Sequence, residues 1–124
     1  MNISCGTDII EISRIKESIE EMQDRFINKI YTPKEIEYCE SKNNVKYQHY
    51  AARFAAKEAL FKALSNLLDD KYSISWQNAE ILNDKDGRPY INFIGVQFDQ
   101  IKDIDISLSH CKEYAVANVV ILTH

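Results

Sequence analysis

Long apolar runs are missing from this sequence. No stretch approaches the ~20 residues needed to span a bilayer, and the opening Met-Asn-Ile-Ser-Cys-Gly lacks a basic segment followed by a long apolar one. A soluble, unexported, cytoplasmic protein without a membrane-spanning helix is expected. A disulfide framework is missing as well: Cys5, Cys39 and Cys111 are odd in number and fit no zinc-ligand spacing. They read as reduced thiols that pack rather than react. Repeats, linkers and low-complexity tracts are absent, so 124 residues with 45% hydrophobic content read as one domain, residues 1–124. Such a domain buries roughly two thirds of its unfolded surface.

Excess positive charge is also lacking, since the formal net charge is −4. That average hides a pattern. Residues 1–41 and 63–124 each carry five Lys/Arg against nine Asp/Glu, whereas residues 42–62 carry Lys42, Lys46, Arg53, Lys57 and Lys62 against Glu58 alone. A short basic band between acidic flanks suits a localised anion such as phosphate, or else a solvated helix face. It does not suit the broad basic surface that duplex nucleic acid requires.

What is present is a strong helical signal. Ala51, Ala52, Ala55, Ala56, Ala59 and Ala63, with no Gly or Pro between them, predict a long central helix from about Val45 to Leu68. Tyr47, Ala51, Phe54, Phe61 and Ser65 recur at helical spacing as a core-facing stripe. Glu58 lies about 30° from the centre of that stripe, where an ionised carboxylate needs a cation. The candidates are Lys62, one turn later, or a metal ion supported by a second acid.

Before this helix, Ile3 to Ile12 reads as a strand with Ser13 capping a helix from Arg14. Within that strand Asp8 shares a face with Ile10 and Ile12, and Gly6 permits a close neighbour. Residues 14–31 read as helix, in one piece or two, with Ile15, Ile19, Met22, Phe26 and Ile30 inward. Thr32-Pro33-Lys34-Glu35 is a capping-box start for a helix to about Ser41. After it come strands: Tyr72 to Trp76, Asn78 to Leu82, and Tyr90 to Ile94 beyond an Asp-Gly turn. Gly95 to Lys102 fits strand or short helix. Ile104 to Ser109 and Tyr114 to Leu122 form an antiparallel hairpin. The sum is an α+β domain, an antiparallel sheet with a long central helix and N-terminal helices packed on it.

Three segments then stand out together: Gly6-Thr7-Asp8-Ile9-Ile10-Glu11-Ile12, Arg53-Phe54-Ala55-Ala56-Lys57-Glu58-Ala59, and Ser107-Leu108-Ser109-His110-Cys111-Lys112-Glu113-Tyr114-Ala115-Val116-Ala117. In order and spacing they resemble the signatures of holo-[acyl-carrier-protein] synthase, the short-chain type of 4'-phosphopantetheinyl transferase. Asp86-Gly87-Arg88-Pro89-Tyr90 resembles a fourth, weaker family segment.

The resemblance implies a Mg²⁺-dependent transfer of 4'-phosphopantetheine from coenzyme A to a serine of apo acyl carrier protein, in support of fatty acid biosynthesis. It implies a homotrimer with active sites at subunit interfaces. It makes Asp8 and Glu58 the metal ligands and, with Lys62, the catalytic set. It assigns Arg53 and Lys57 to phosphate binding or interface contacts, and Gly87 and Pro89 to the loop beside the adenine. His110 would reach the nucleotide from the neighbouring subunit. Arg14, Met22, Arg25 and Phe26 would receive the carrier, although Glu17, Glu20, Glu21 and Asp24 dilute that basic face. Cys111 departs from the family, which commonly has Thr or Ser there, and is a weaker donor toward phosphate. A metal-held water, Asp8 or Glu58 each suits the role of proton acceptor. The alternatives are another Mg²⁺-dependent phosphate transferase, or a coenzyme-A- or carrier-binding module without catalysis.

Overall fold

The computed structural model describes residues 1–70 and 73–124. Its spine is helix α4, Lys46–Leu64. Strand β1, Ile3–Glu11, leads to three short helices, α1 Ile12–Met22, α2 Asp24–Ile30 and α3 Pro33–Glu40, and α4 follows. The rest is strand: β2 Ala79–Asn83, β3 Pro89–Phe93, β4 Ile101–His110 and β5 Tyr114–Thr123. The strands form two antiparallel sheets, one in the order β1-β5-β4 and a β2-β3 hairpin. The α+β architecture expected from sequence is the architecture found.

Helix α4 lies on the three-stranded sheet, where small residues let the two backbones meet. A Cβ on Gly6 would stand 2.0 Å from the carbonyl oxygen of Ala59, so only glycine fits on β1 at that point. Two residues earlier, the Ser4 hydroxyl donates to the carbonyl of Ala63 at 2.8 Å. The inner face of the sheet carries Ile106 from β4 and Ala115, Ala117, Val119 and Ile121 from β5, all buried. Alternation along the strands leaves Ile3, Ile9 and Val120 on the outer face, exposed to solvent. A second core joins α1, Tyr31, Cys39 and Tyr50 over the first half of α4.

Several local expectations need correction. Ser13 does not cap α1: β1 runs straight into the helix, and the first helical amide, Ile12, donates to the carbonyl of Glu113. Residues 14–31 are two helices, because Gln23 between them adopts φ 49°, ψ −125°. Helix α4 ends at Leu64, short of Leu68. The strand expected from Tyr72 to Trp76 is not formed over its described residues, where Trp76–Asn78 is a single helical turn, and Tyr72 lies outside the described residues. Gly95 to Gln100 is irregular, and β4 begins at Ile101.

Two further corrections concern burial. The stripe Tyr47, Phe54, Phe61 and Ser65 is the less buried side of α4, while the alanines, Tyr50, Leu60 and Leu64 are interior. Close packing against alanine, not large side chains, marks the true inner face, and Phe54 and Phe61 are covered instead by Trp76, at ring distances of 5.1 and 5.3 Å. Among the cysteines, all free, only Cys39 is packed; Cys5 and Cys111 are exposed.

Candidate active site

Asp8 reaches the site from the inner face of β1, two residues beyond the glycine that admits α4. That close approach carries Lys62, on the exposed side of α4, to the same point. Lys62 Nζ donates to Asp8 Oδ1 at 3.1 Å and to the carbonyl of Thr7 at 2.9 Å. The i,i+4 pairing of Glu58 with Lys62 is not the ion pair that forms: among the described residues the ammonium binds Asp8. Glu58 is left half-buried with no hydrogen bond of its own among the described residues, and its pKa is raised, first by burial and then by the Asp8 carboxylate, with Lys62 acting in the opposite sense. Two carboxylates close enough to repel, one of them without a proton donor, form a place where a cation is favourable.

The donor set fits a particular kind of ion. Among the described residues no group of three or more His, Cys, Asp or Glu is assembled to hold a metal. Two hard carboxylates suit Mg²⁺, which keeps waters and ligand phosphate oxygens in the rest of its shell. Asp8 and Glu58 are the residues that would hold it.

A second cluster lies along the first half of α4. Tyr38 on α3 packs its ring face against the Arg53 guanidinium, 4.0 Å away, and carries the Lys42 ammonium at 4.7 Å. His49 stands edge-on to Tyr38 and to His110, each at 5.5 Å. Burial, followed by the electrostatic effects of His110, Lys42 and Arg53, pushes His49 down to about 4, so its ring is neutral at ordinary pH. Beside this stack opens a cleft of about 660 Å³ whose walls include Lys34, Lys42, Arg53, Lys85, Asn83 and Gly87. Gly87 sits at φ 85° in the β2-β3 turn, a conformation that suits glycine. Pro89 begins β3 opposite Asn83.

The two clusters are separate within one chain. Asp8 pairs with Ala117 and His110 with Ala115, on opposite sides of β5, which sets them two strand spacings apart, about 9–10 Å, before any offset along the strands. On α4, His49 precedes Glu58 by nine positions, about 13.5 Å of helix.

Lys57 belongs to neither cluster. Its side chain is 0% exposed and Nζ donates to Glu35 Oε1 at 2.7 Å, the carbonyl of Ile30 at 2.6 Å and the carbonyl of Trp76 at 3.0 Å. Three donors and three acceptors leave nothing for a ligand, so the phosphate contact expected of it does not fit this geometry. Glu35 completes the arrangement by accepting from the amides of Thr32 and Ile81.

Arg14, Met22 and Arg25 are exposed along α1 and α2, and Met22, expected inward, is 39% exposed at the end of α1. Phe26 is half-buried, stacked on Phe54 at 6.4 Å. Sequence reasoning overlooked Tyr38, His49 and Asn83. No local pattern marks the first two, and Asn83 was visible only as a turn residue.

Comparison with known proteins shows the family of the chain. Residues 4–119 match the 4'-phosphopantetheinyl transferase superfamily. A holo-[acyl-carrier-protein] synthase from Ruminiclostridium cellulolyticum is 47% identical over 126 residues, covering 98% of this chain and 92% of that protein. One from Dehalococcoides mccartyi is 46% identical over 120 residues, covering 93% and 94%. Among solved structures, a Bacillus anthracis holo-(acyl-carrier-protein) synthase in complex with CoA (3',5'-ADP) superposes with a TM-score of 0.78 at 34% identity, covering 98% of this chain and 96% of that one. A Helicobacter pylori holo-[acyl-carrier-protein] synthase in complex with coenzyme A does so with a TM-score of 0.82 at 29% identity, covering 95% and 99%.

Proposed function

We propose, from the premise that this chain belongs to the 4'-phosphopantetheinyl transferase superfamily, among its holo-[acyl-carrier-protein] synthases, that it primes an apo acyl carrier protein for fatty acid biosynthesis. The carrier's serine oxygen attacks the pantetheine-side phosphorus of coenzyme A. A new P–O bond forms, the pyrophosphate P–O bond breaks, the serine proton is lost to a base, and adenosine 3',5'-bisphosphate leaves.

The observation that carries this reading is the meeting of Asp8, Glu58 and Lys62. Mg²⁺ held by the two carboxylates would supply positive charge to the pyrophosphate oxygens. Lys62 uses two of its three donors on Asp8 and Thr7, so among the described residues the third is free to meet the developing charge of the leaving phosphate. The nucleotide end of coenzyme A occupies the cleft beside Arg53 and Gly87, with Pro89 fixing the start of the following strand. Exposed Arg14, Met22 and Arg25, with the edge of Phe26, receive the acidic carrier.

Separation of the two clusters supports a site completed by a second copy, whose His110 reaches the nucleotide. The open outer face with Ile3, Ile9 and Val120 gives an apolar surface for a homotrimer. Among the described residues no helix is long and apolar enough to cross a membrane, in keeping with action in the cytoplasm.

The deciding experiment mixes the protein with coenzyme A, Mg²⁺ and apo carrier and follows the carrier by mass spectrometry. A phosphopantetheine adduct that depends on Mg²⁺ is expected; retention of coenzyme A with an unchanged carrier would sink the catalytic reading. Mixing inactive Glu58→Ala and His110→Ala subunits under exchange should restore activity if the site is shared, and no recovery would place it within one chain.

A further inference from the structure

Arg53 is 2% exposed, and its Nε is a buried donor without a partner among the described residues. An arginine normally spends its five N–H groups when it is buried. Here one of its terminal nitrogens donates to Asn83 Oδ1 at 2.6 Å and the guanidinium face lies on Tyr38. Arg53 lines a cleft that also carries Lys34, Lys42 and Lys85 against Glu37 and Asp84.

Asn83 is what orients that wall. Its oxygen accepts from Arg53, which can only donate, and its Nδ2 donates at 3.1 Å to the carbonyl of Gly87, which can only accept. The amide therefore has one admissible orientation. It joins the helix cation to the glycine turn, which is itself pinned by Asp84 accepting from the amides of Asp86 and Arg88. The same strand is anchored once more through the amide of Ile81, bound to Glu35, which in turn binds Lys57. Arg53 and Lys57 are four residues apart, about 6 Å along the helix; Asn83 and Ile81 are two apart, about 6.7 Å along the strand. These matched spacings make two buried rungs between α4 and β2, one saturated, the other with a buried donor left unpaired among the described residues.

Resting on the coenzyme A reading above, we propose that Asn83 is a positioning residue for the nucleotide: it holds the Arg53 guanidinium and the Gly87 carbonyl in one geometry, so that Arg53 meets a phosphate of the ligand. Asn83 acts through Arg53. Removing it loosens the guanidinium without touching the carboxylates at Asp8 and Glu58.

The test is titration calorimetry with coenzyme A and with adenosine 3',5'-bisphosphate on the wild type, Asn83→Ala, Arg53→Met and the double variant. Steady-state kinetics and thermal melts accompany it. Asn83→Ala should weaken both ligands about tenfold, the scale of one hydrogen bond to a charged group. It should raise KM for coenzyme A in proportion, leave kcat within about twofold and shift the melting point by only a few degrees. Arg53→Met should weaken binding at least as much, and adding Asn83→Ala to it should bring no further loss. Additive losses overturn the positioning role by making Asn83 a contact in its own right. Wild-type affinity in Asn83→Ala beside a weakened Arg53→Met overturns it and leaves the coenzyme A reading standing. Wild-type affinity in both single variants overturns the cleft assignment, and failure of the wild type to bind coenzyme A overturns the function on which it rests.

Discussion

The two flanks of α4 carry the same side chain under opposite conditions. On one, Lys57 is sealed from solvent and its three donors go to Glu35 and two backbone carbonyls. On the other, Lys62 is 54% exposed and its carboxylate partner Asp8 is 17% exposed. Five residues turn a helix through about 500°, so the two ammonium groups leave it about 140° apart. Desolvation pushes the Lys57 pKa down, and the Glu35 carboxylate opposes it, so that pair holds its charge only while both members are present. The difference separates architecture from chemistry: a cation with every donor used holds elements together, and a cation with one to spare can act on a ligand.

Changes at the exposed flank should have the largest effect, and on rate alone. Glu58→Gln should lower turnover by about 10³-fold or more, and Lys62→Met by about 10²-fold, the range found when an electrostatic group at a reacting phosphate or oxyanion is removed. Thermal stability should hold in both. Because burial and Asp8 raise the Glu58 pKa, the ionised carboxylate destabilises the fold, so neutral glutamine should leave the melting point unchanged or higher. A lower melting point with normal turnover in Glu58→Gln would erase the contrast between the flanks.

The buried flank should answer in stability. Lys57→Met strands the Glu35 carboxylate in the interior and should cost about 3–5 kcal/mol in urea denaturation, against about 1 kcal/mol or less for Lys62→Met. The paired change Lys57→Met with Glu35→Leu should recover much of the loss. Turnover per folded molecule should stay within an order of magnitude of wild type. A catalytic collapse in a well-folded Lys57→Met protein would return this residue to the site.

Strand alternation placed Asp8 on one face with Ile10, but residue type and period left Asp8, Glu58 and Lys62 each readable as structure. The resemblance carried by the three family-like segments taken together singled them out, and the Glu58–Lys62 pairing read from the helical turn gives way to Lys62 with Asp8. The capping box at Thr32 was plain and forms as expected. Lys57 and Lys62 were indistinguishable by type, since burial depends on Glu35 and Trp76, distant in the chain and joined to α4 only by the fold. The same blindness reversed the stripe of α4: Phe54 and Phe61 looked interior by hydrophobicity, whereas alanine packed on Gly6 marks the interior face. Asn83 could be read only as a turn residue, because its further role exists only once a helix cation and a hairpin turn stand on either side of it.

A smaller effect should appear with pH at the ring stack between the flanks. His49 faces His110, Lys42 and Arg53 and titrates near 4 instead of its ordinary 6.5. Between those values the unfolded chain takes up a proton that the folded chain refuses, so stability falls as pH is lowered through that window. Carboxylates elsewhere add their own acid sensitivity, so the informative quantity is a difference. His49→Phe keeps a ring between Tyr38 and His110 and removes the titration, and its stability should decline less from pH 6.5 to 4 than that of the wild type. Parallel urea midpoints for the two proteins across this range would show that His49 is not held neutral.

The smallest effect is expected farthest from the reacting groups, at the break between α1 and α2. Gln23 holds φ 49°, ψ −125°, close to the glycine position of a type II' turn and costly for a residue with a Cβ. Its backbone earns that position by donating to Ile19 and accepting from the amides of Phe26 and Ile27, while its side chain makes no hydrogen bond among the described residues. Gln23→Gly keeps the turn and removes the strain, at the cost of a more flexible unfolded chain. The balance should be a gain of about 1 kcal/mol, a rise of a few degrees in melting temperature, with turnover at saturating carrier unchanged. Met22 and Arg25 flank the turn, so KM for the carrier is the sensitive readout. A stabilised variant with an unaltered KM means the turn only shapes the chain; a raised KM means that its rigidity presents those two side chains to the partner.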